Sequence, residues 1–139
     1  MSEQVKDVMT SDPITVEAGD SVVVAARRMK EAAVGSMIVM DGERIHGIVT
    51  DRDIAMRVVA EGSDPAQTRV QEITSDNPVT LEPGSSVDDA IKVMSDRAIR
   101  RLPVVEDGRP VGIVSLGDLA IDRDPKSALG EISAAAPDR

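Results

Sequence analysis

The chain has 139 residues, of which 41% are hydrophobic, and a formal net charge of −9. This length suits one compact domain or two small halves with a shared core, and no apolar stretch approaches the roughly 20 residues that cross a bilayer. The negative charge disfavours nucleic acid and anionic membranes as partners, and the absence of Phe, Tyr and Trp removes the rings on which bases stack. Without Cys or a signal-peptide pattern, a cytoplasmic protein free of disulfides is expected.

The chain contains an internal repeat. A gapless offset of 65 aligns residues 5–55 with residues 70–120, and the segment GIVTDRD at 47–53 returns as GIVSLGD at 112–118. This period exceeds that of solenoids and propellers, so two copies of one supersecondary unit about a pseudo-twofold axis are expected. Identical pairs along the alignment include Pro13/Pro78, Thr15/Thr80, Gly19/Gly84, Val22/Val87, Ala25/Ala90, Met29/Met94, Gly47/Gly112 and Asp53/Asp118.

Each copy begins with a strand, at 14–16 and at 79–81, and a glycine turn then leads to a helix. In copy one this helix contains a β-branched run at 22–24 that also suits a strand. Copy two resolves the ambiguity, because Val87, Ala90 and Met94 have helical spacing and Ser86 with Asp89 forms an S-x-x-D start. Both copies are therefore predicted to form a helix here.

Two further strands follow the helix in each copy, at 37–40 and 45–49 and at 102–105 and 111–114, with an Asp-Gly turn between them. A second helix follows and, in copy one, ends near Gly62. The predicted fold is α/β (α+β), with two β-α-β-β-α repeats packed sheet to sheet. The predicted boundaries are repeat one at 5–62, a linker at 63–69, repeat two at 70–122, and a tail at 123–139 with one short helical turn at 127–133.

Polar residues recur where the third strand of each copy meets the second helix. Thr50 and Ser115 occupy the expected N-cap positions, and Asp53 and Asp118 the N3 positions, which predicts a capping box. The same groups also suit a ligand, because a hydroxyl can bond a ribose or phosphate oxygen and a carboxylate can accept both ribose hydroxyls. The two interpretations are compatible.

Other reactive residues offer little chemistry. His46 is the only histidine, and we expect it on an exposed strand position. With no Cys and no visible pair of nucleophile and base, an enzyme is not expected. Asp51 and Asp53 in a first helical turn more simply serve the helix dipole, so no resident metal is predicted, and Mg²⁺ is expected only with a bound nucleotide.

The β-α-β-β-α order, taken twice with G-h-h-[ST]-x-x-D at each third strand, resembles a tandem pair of cystathionine-β-synthase (CBS) domains, a Bateman module. The resemblance covers residues 5–122, includes DVMTSDPITV at 7–16 and RRLPVVEDGRPVGIVS at 100–115, and is closest to stand-alone bacterial CBS-pair proteins. It implies a regulatory homodimer that binds AMP, ADP, ATP, NAD or S-adenosylmethionine in two clefts between the repeats and acts on a downstream protein. The alternative is a module of the same fold that binds no ligand and serves protein interaction.

The resemblance also implies the residues of each cleft. The first cleft would be formed by Thr50, Arg52, Asp53, Asn77, Val79, Ile99, Arg100 and Arg101. The second would be formed by Asp12, Ile14, Val34, Gly35, Ser115 and Asp118. All three arginines fall to the first cleft, because their counterparts in the other copy are Gly35, Ser36 and Gly117. Phosphate binding is therefore expected at the first cleft.

Overall fold

The computed structural model describes residues 4–74, 76 and 79–123, which form two compact units. The repeat-one unit consists of residues 14–74 with Asp76, and the repeat-two unit consists of residues 4–13 with 79–123. Both contain a small sheet and helices, so the predicted mixture of α and β structure in two copies is confirmed. The helical turn predicted at 127–133 lies outside the described residues.

The strands are β1 (Thr10–Ser11), β2 (Thr15–Glu17), β3 (Ser36–Asp41), β4 (Arg44–Thr50), β5 (Arg101–Glu106) and β6 (Arg109–Ser115). The helices are α1 (Val22–Ala32), α2 (Asp51–Ile54), α3 (Val70–Ile73), α4 (Val87–Arg97) and α5 (Leu116–Arg123). A 3₁₀ turn at Val5–Asp7 precedes β1, and a π-helical turn at Ala55–Val59 continues α2. No helix in the described part of the chain has the length and apolar character to cross a membrane.

In the repeat-one unit, the sheet has the order β2-β3-β4, with β2 parallel to β3 and β3 antiparallel to β4. Ser21 is the N-cap of helix α1, where its hydroxyl accepts the Val24 N–H, and the helix buries Val22, Ala25 and Met29. These three residues recur at spacings of three and four, so they line one face of the helix. They join the buried strand residues in one core.

In the repeat-two unit, the sheet has the order β1-β6-β5, with both pairings antiparallel. Ser86 is the N-cap of helix α4, where its hydroxyl accepts the Asp89 N–H at 2.9 Å, and the helix buries Val87, Ala90 and Met94. The helix predicted for both copies from this pattern is therefore confirmed, including its S-x-x-D start.

The first strand of copy two is shorter than predicted. Residues 79–81 contribute only one parallel bridge, between Leu81 and Val104. In copy one the Ile38 N–H donates to the Ile14 carbonyl at 3.1 Å and lengthens the ladder. The counterpart of Ile38 is Pro103, which has no N–H to donate, so the equivalent bond cannot form.

The first residues of each repeat pack into the unit that holds most of the other repeat. The 3₁₀ turn and β1 open repeat one, yet the Val5 N–H donates to the Ser85 carbonyl at 2.8 Å and β1 pairs with β6. Helix α3 opens repeat two, yet the Val70 N–H donates to the Asp20 carbonyl at 2.9 Å. Val5 and Val70, a matched pair in the repeat, are both fully buried.

Candidate functional site at the strand–helix joints

The first joint lies where β4 ends at Thr50 and α2 begins. Thr50 has extended backbone angles, and its hydroxyl Oγ1 accepts the Asp53 N–H at 3.1 Å. Asp53 Oδ2 accepts the Thr50 N–H in return, at 2.8 Å. These reciprocal bonds form a capping box, which satisfies one free donor at the helix start and one at its N-cap.

The second joint, between β6 and α5, has the same geometry. Ser115 Oγ accepts the Asp118 N–H at 3.1 Å, and Asp118 Oδ2 accepts the Ser115 N–H at 2.9 Å. All four side-chain bonds at the two joints involve partly buried groups. The capping interpretation of the motif is therefore confirmed in both copies, and a ligand would meet residues that are already held in place.

The corner that follows the first long helix of each copy lies beside the joint. In the repeat-one unit the Asp51 N–H donates to the Gly35 carbonyl at 2.9 Å, and Ser36 pairs with Thr50. In the repeat-two unit the Leu116 N–H donates to the Arg100 carbonyl at 2.9 Å, and Arg101 pairs with Ser115. Arg100 and Arg101 therefore belong to the same unit as Ser115, a neighbour relation that the sequence reasoning did not draw from the strand register.

A left-handed alanine shapes each of these corners. Ala33 and Ala98, which end α1 and α4, have φ angles of 55° and 52°. The residues after them close the helix, because the Val34 N–H donates to the Met29 carbonyl and the Ile99 N–H to the Met94 carbonyl, at 3.0 and 3.1 Å. This ending sets the direction in which Val34 and Ile99, two predicted pocket residues, leave the helix.

The remaining predicted residues divide between the units. Thr50, Arg52, Asp53, Ile14, Val34 and Gly35 lie in the repeat-one unit, and Asp12, Val79, Ile99, Arg100, Arg101, Ser115 and Asp118 lie in the repeat-two unit. Asn77 lies outside the described residues. Each predicted cleft thus draws on both units, and the grouping of residues into clefts stays a prediction.

The arginines differ in what they bind. Arg28 and Arg57 donate to backbone carbonyls, of Thr15 at 2.6 Å and of Ile73 at 3.2 Å. Three arginines are assigned to the first cleft: Arg52, Arg100 and Arg101. Their side chains make no hydrogen bond or ion pair within the part of the chain that the structure describes. Their guanidinium groups are therefore available to an anion.

His46 is buried, which corrects the expectation of an exposed strand position. Its Nε2 lies 3.1 Å from the Thr74 carbonyl oxygen, and because a carbonyl only accepts, Nε2 carries the hydrogen. The expectation was wrong because α3, at the start of the other repeat, packs on β4 and covers this position. The polar residue at a position where copy two has Val111 was the available signal.

A neighbouring ion pair was also not predicted. Both terminal nitrogens of Arg44 donate to the two carboxylate oxygens of Asp76, at 3.1 and 3.0 Å. The hydrogen bond from Arg44 and its positive charge hold the pKa of Asp76 below its ordinary value of 3.8. The same bond raises the pKa of Arg44. About half of each side chain is exposed, so the pair is accessible to salt.

Comparison with known proteins gives consistent matches over nearly the whole chain. A family model described as CBS domain matches residues 5–60 and 70–121. The CBS domain-containing protein YhcV of Bacillus subtilis is 41% identical over 126 residues, covering 91% of this chain and 89% of that protein. Hypoxic response protein 1 of Mycobacterium tuberculosis is 33% identical over 116 residues, covering 83% of this chain and 81% of its own.

A solved structure shows the same fold. The hexameric CBS-CP12 protein from bloom-forming cyanobacteria superposes with a TM-score of 0.80 at 33% identity. The match covers 97% of this chain and 84% of that one. The two matched stretches of the family model coincide with the two copies of the repeat, so both copies contribute to the resemblance.

Proposed function

Because the chain belongs to the CBS domain family, as a tandem pair, we propose that it is a regulatory module that binds an adenosine nucleotide at its strand–helix joints. CBS-domain pairs are regulatory and signalling modules, and binding at two half-sites, one per repeat, would couple a ligand to the packing of the protein. The ligand classes are AMP, ADP, ATP, NAD and S-adenosylmethionine, with Mg²⁺ only as the companion of a nucleotide.

The observation that carries the proposal is the duplicated joint. Each capping box uses one carboxylate oxygen, Oδ2. For Asp53, no hydrogen bond to Oδ1 occurs among the residues that the structure describes, so this oxygen can accept a ribose hydroxyl without breaking the box. The box itself holds the carboxylate in one orientation, which lowers the entropy that a ligand must remove.

The phosphate contacts of the proposal are Arg52, Arg100 and Arg101. Charge-assisted bonds from guanidinium to phosphate are among the stronger hydrogen bonds in proteins. A locally positive group of this kind is needed here because the net charge of −9 repels a nucleotide at longer range. The apolar contacts for the base are aliphatic, since the chain has no aromatic residue.

The direct test combines absorbance with thermal unfolding. The purified protein has no Trp, Tyr, Phe or Cys, so an adenine ring retained from the host would absorb near 260 nm on an almost blank background. Each ligand is then added. One that binds only the folded state raises the midpoint temperature of unfolding, because at a hundredfold excess over Kd it adds about 2.7 kcal/mol to the free energy of unfolding. A blank spectrum with no shift by any of the five compounds at millimolar concentration would refute nucleotide binding.

Two arginine variants test the role of phosphate. Replacing Arg100 and Arg101 together with Ala removes charge-assisted donors, so Kd for ATP should rise by roughly tenfold or more and Kd for adenosine should change little. Arg27→Ala serves as a control, because Arg27 is an exposed arginine on α1 outside the proposed site. An equal loss of affinity for ATP and for adenosine in the double variant would show that the arginine pair does not contact phosphate.

The second candidate function is a module of the same fold that binds no ligand and acts through protein interaction. Both capping boxes are complete without a ligand, and Met56 and Val59 are 55% and 71% exposed. Titration with nucleotides separates the two functions, because this candidate requires no change in the unfolding midpoint.

We also propose that the chain is a cytoplasmic homodimer without catalytic activity that signals to a downstream protein. Its single His is bonded through Nε2 to a backbone carbonyl and it has no Cys, so the sequence offers no Cys–His pair of nucleophile and base. The exposed apolar side chains on the turn at Ala55–Val59 favour self-association. The hexameric state of the similar cyanobacterial protein indicates that this fold can assemble with itself.

A further inference from the structure

The repeat-two unit holds residues 4–11, which we call the arm. The Val5 N–H donates to the Ser85 carbonyl at 2.8 Å, and the Lys6 N–H donates to the Pro83 carbonyl at 3.0 Å. The Val5 side chain is fully buried in the core of this unit, and β1, at the end of the arm, pairs with β6. We call the surface that receives the arm the slot; it consists of these two carbonyls, the core around Val5 and the edge of β6.

The repeat-one unit holds the first residues of repeat two through the same contacts. The Val70 N–H donates to the Asp20 carbonyl and the Gln71 N–H donates to the Ala18 carbonyl, both at 2.9 Å. These four residues match the four residues just named for the arm and the slot at the repeat offset of 65. An isolated β-bridge beside each set of bonds follows the same offset. The protein therefore builds one docking arrangement twice, with two different segments.

The two docked segments have little sequence in common. The arm begins QVKDVM at 4–9, its counterpart reads RVQEIT at 69–74, and the valine is the only identical residue of the six. The two arrangements thus share backbone N–H donors and one buried valine. Recognition in which main-chain bonds supply affinity and a side-chain pocket supplies selectivity does not depend on which chain supplies the segment. A second copy of this chain carries the same arm and therefore fits the slot.

The arm leaves the slot through a residue in an unfavourable backbone conformation. Asp12 has a φ angle of 54°, in the left-handed region that is costly for residues other than glycine. Pro13 follows it, and a residue before proline prefers an extended conformation. Extension at Asp12 would relieve this strain and direct the arm away from its own chain. A strained connection of this kind favours the exchange of segments between copies.

We propose that the slot is an interaction surface for a second copy of this chain, and that two copies exchange their arms by extension at Asp12. Exchange of an identical element is a low-cost route to a dimer, because each arm keeps its contacts and only the chain that supplies it changes. This inference goes beyond the proposed function, since arm exchange requires neither a nucleotide nor the exposed side chains of the turn at Ala55–Val59.

Disulfide trapping tests the exchange directly, because the chain has no Cys of its own. Thr10 and Ile113 are directly paired, so their Cα atoms are about 4.5–5.5 Å apart, within the range of a disulfide. Two full-length chains, one with Thr10→Cys and a mass tag and the other with Ile113→Cys, are unfolded, mixed, refolded together and oxidised with glutathione disulfide. A disulfide between the two chains then requires the arm of the first in the slot of the second.

Two controls accompany this trap. Thr10→Cys and Ile113→Cys in one chain should close an intrachain disulfide, and failure to close it would contradict the pairing on which the exchange rests. Arg109→Cys in place of Ile113→Cys puts the thiol four residues along β6, roughly 13 Å away and too far to bridge.

We expect the mixed disulfide to be at least about fivefold more abundant than in the Arg109→Cys control, and to increase with protein concentration. A mixed disulfide no more abundant than in that control would overturn arm exchange. A dimer mass in the same sample would then leave the homodimer of the proposed function in place.

Variants of Asp12, made in both chains and verified as folded by circular dichroism, test the hinge. Glycine adopts positive φ freely, so Asp12→Gly should hold the arm on its own chain and lower the mixed disulfide roughly threefold. Asp12→Ala should raise it, because alanine tolerates the left-handed region less well than aspartate. Equal amounts of mixed disulfide in the two variants would overturn the role of Asp12 in the exchange.

Discussion

At the scale of single residues, Thr50 and Asp53 illustrate how one pair serves both folding and proposed binding. The hydroxyl and one carboxylate oxygen satisfy backbone N–H groups, and this accounts for their presence without any ligand. The second oxygen of Asp53 is the part that capping does not require. A substitution that separates capping from charge can therefore distinguish the two roles.

Asp53→Asn and Asp53→Ala form such a pair. Asn keeps a side-chain oxygen for the Thr50 N–H, so stability should change little, whereas Ala loses it and should cost about 0.5–2 kcal/mol. Both should weaken nucleotide binding, because both remove the carboxylate. Chemical denaturation gives the stability of each variant, and calorimetry on the folded protein gives Kd. Wild-type affinity in Asp53→Asn would leave Asp53 as a cap alone.

Residue-scale features were predictable from the sequence where they depend on local geometry. The N-cap and N3 positions of Thr50 and Asp53 follow from a strand-to-helix pattern that the repeat shows twice. The burial of His46 and the Arg44–Asp76 pair depend instead on where α3 packs, and α3 comes from the start of the other repeat. The sequence of β4 alone does not show that α3 packs against it.

The Arg44–Asp76 pair predicts an acid-dependent contribution to stability. Because the pKa of Asp76 is lower in the folded chain than its ordinary value of 3.8, the pair stabilises above that pH, and the contribution is lost as pH falls through the lowered pKa. We expect wild type to unfold at a higher temperature than Asp76→Asn at neutral pH and low salt. The difference should disappear in acid, as followed by circular dichroism. A difference in unfolding temperature that persists in acid would show that the charge of Asp76 is not responsible.

At the scale of elements, a single residue with special backbone chemistry accounts for one difference between the copies. Pro103 removes the N–H that would extend the short strand of copy two. Gly112 lets β1 approach β6, but its counterpart Gly47 is also a glycine, so it does not explain a difference. The β-α-β-β-α order was predictable because helical and strand periodicities are local. The exchange of the first segments of the repeats was not predictable, since β1 has two residues and pairs with a strand far along the chain.

Gly112→Ala should detach β1. An added Cβ would lie 2.5 Å from the Met9 sulfur and 2.9 Å from the Thr10 carbonyl oxygen, and the backbone atom cannot move without disturbing the ladder. We expect a loss of about 1–3 kcal/mol in the free energy of unfolding. Gly84→Ala is the control, because no atom lies within 4 Å of its Cβ position and its φ is not positive. A loss in Gly112→Ala no larger than in the control would contradict this close approach.

At the scale of the whole molecule, exposed apolar side chains remain on helical segments of both units. Val59 is 71% exposed and Met56 55% in the repeat-one unit, and Ile91 is 39% exposed on α4 of the repeat-two unit. Isolated apolar residues on a surface are ordinary, but Met56 and Val59 are three positions apart on one turn. They are natural sites at which to test self-association.

We predict a homodimer in solution that depends on these residues. Light scattering at micromolar concentration should give about twice the monomer mass of 14.7 kDa. Met56→Lys with Val59→Lys should lower the mass toward the monomer, because two ammonium groups would have to leave water on association. Lys substitution at Ala26, an exposed position on α1, provides the matched control. A monomer mass for wild type would contradict the prediction.

The exchange of segments between the units has a consequence for synthesis on the ribosome. The described repeat-one unit is continuous along the chain from residue 14 to Asp76, so its segments are synthesised together. Strand β1, in contrast, is synthesised long before its partner, because Thr10 pairs with Ile113 about a hundred residues later. This strand therefore stays without its native partner until most of the repeat-two unit has left the exit tunnel.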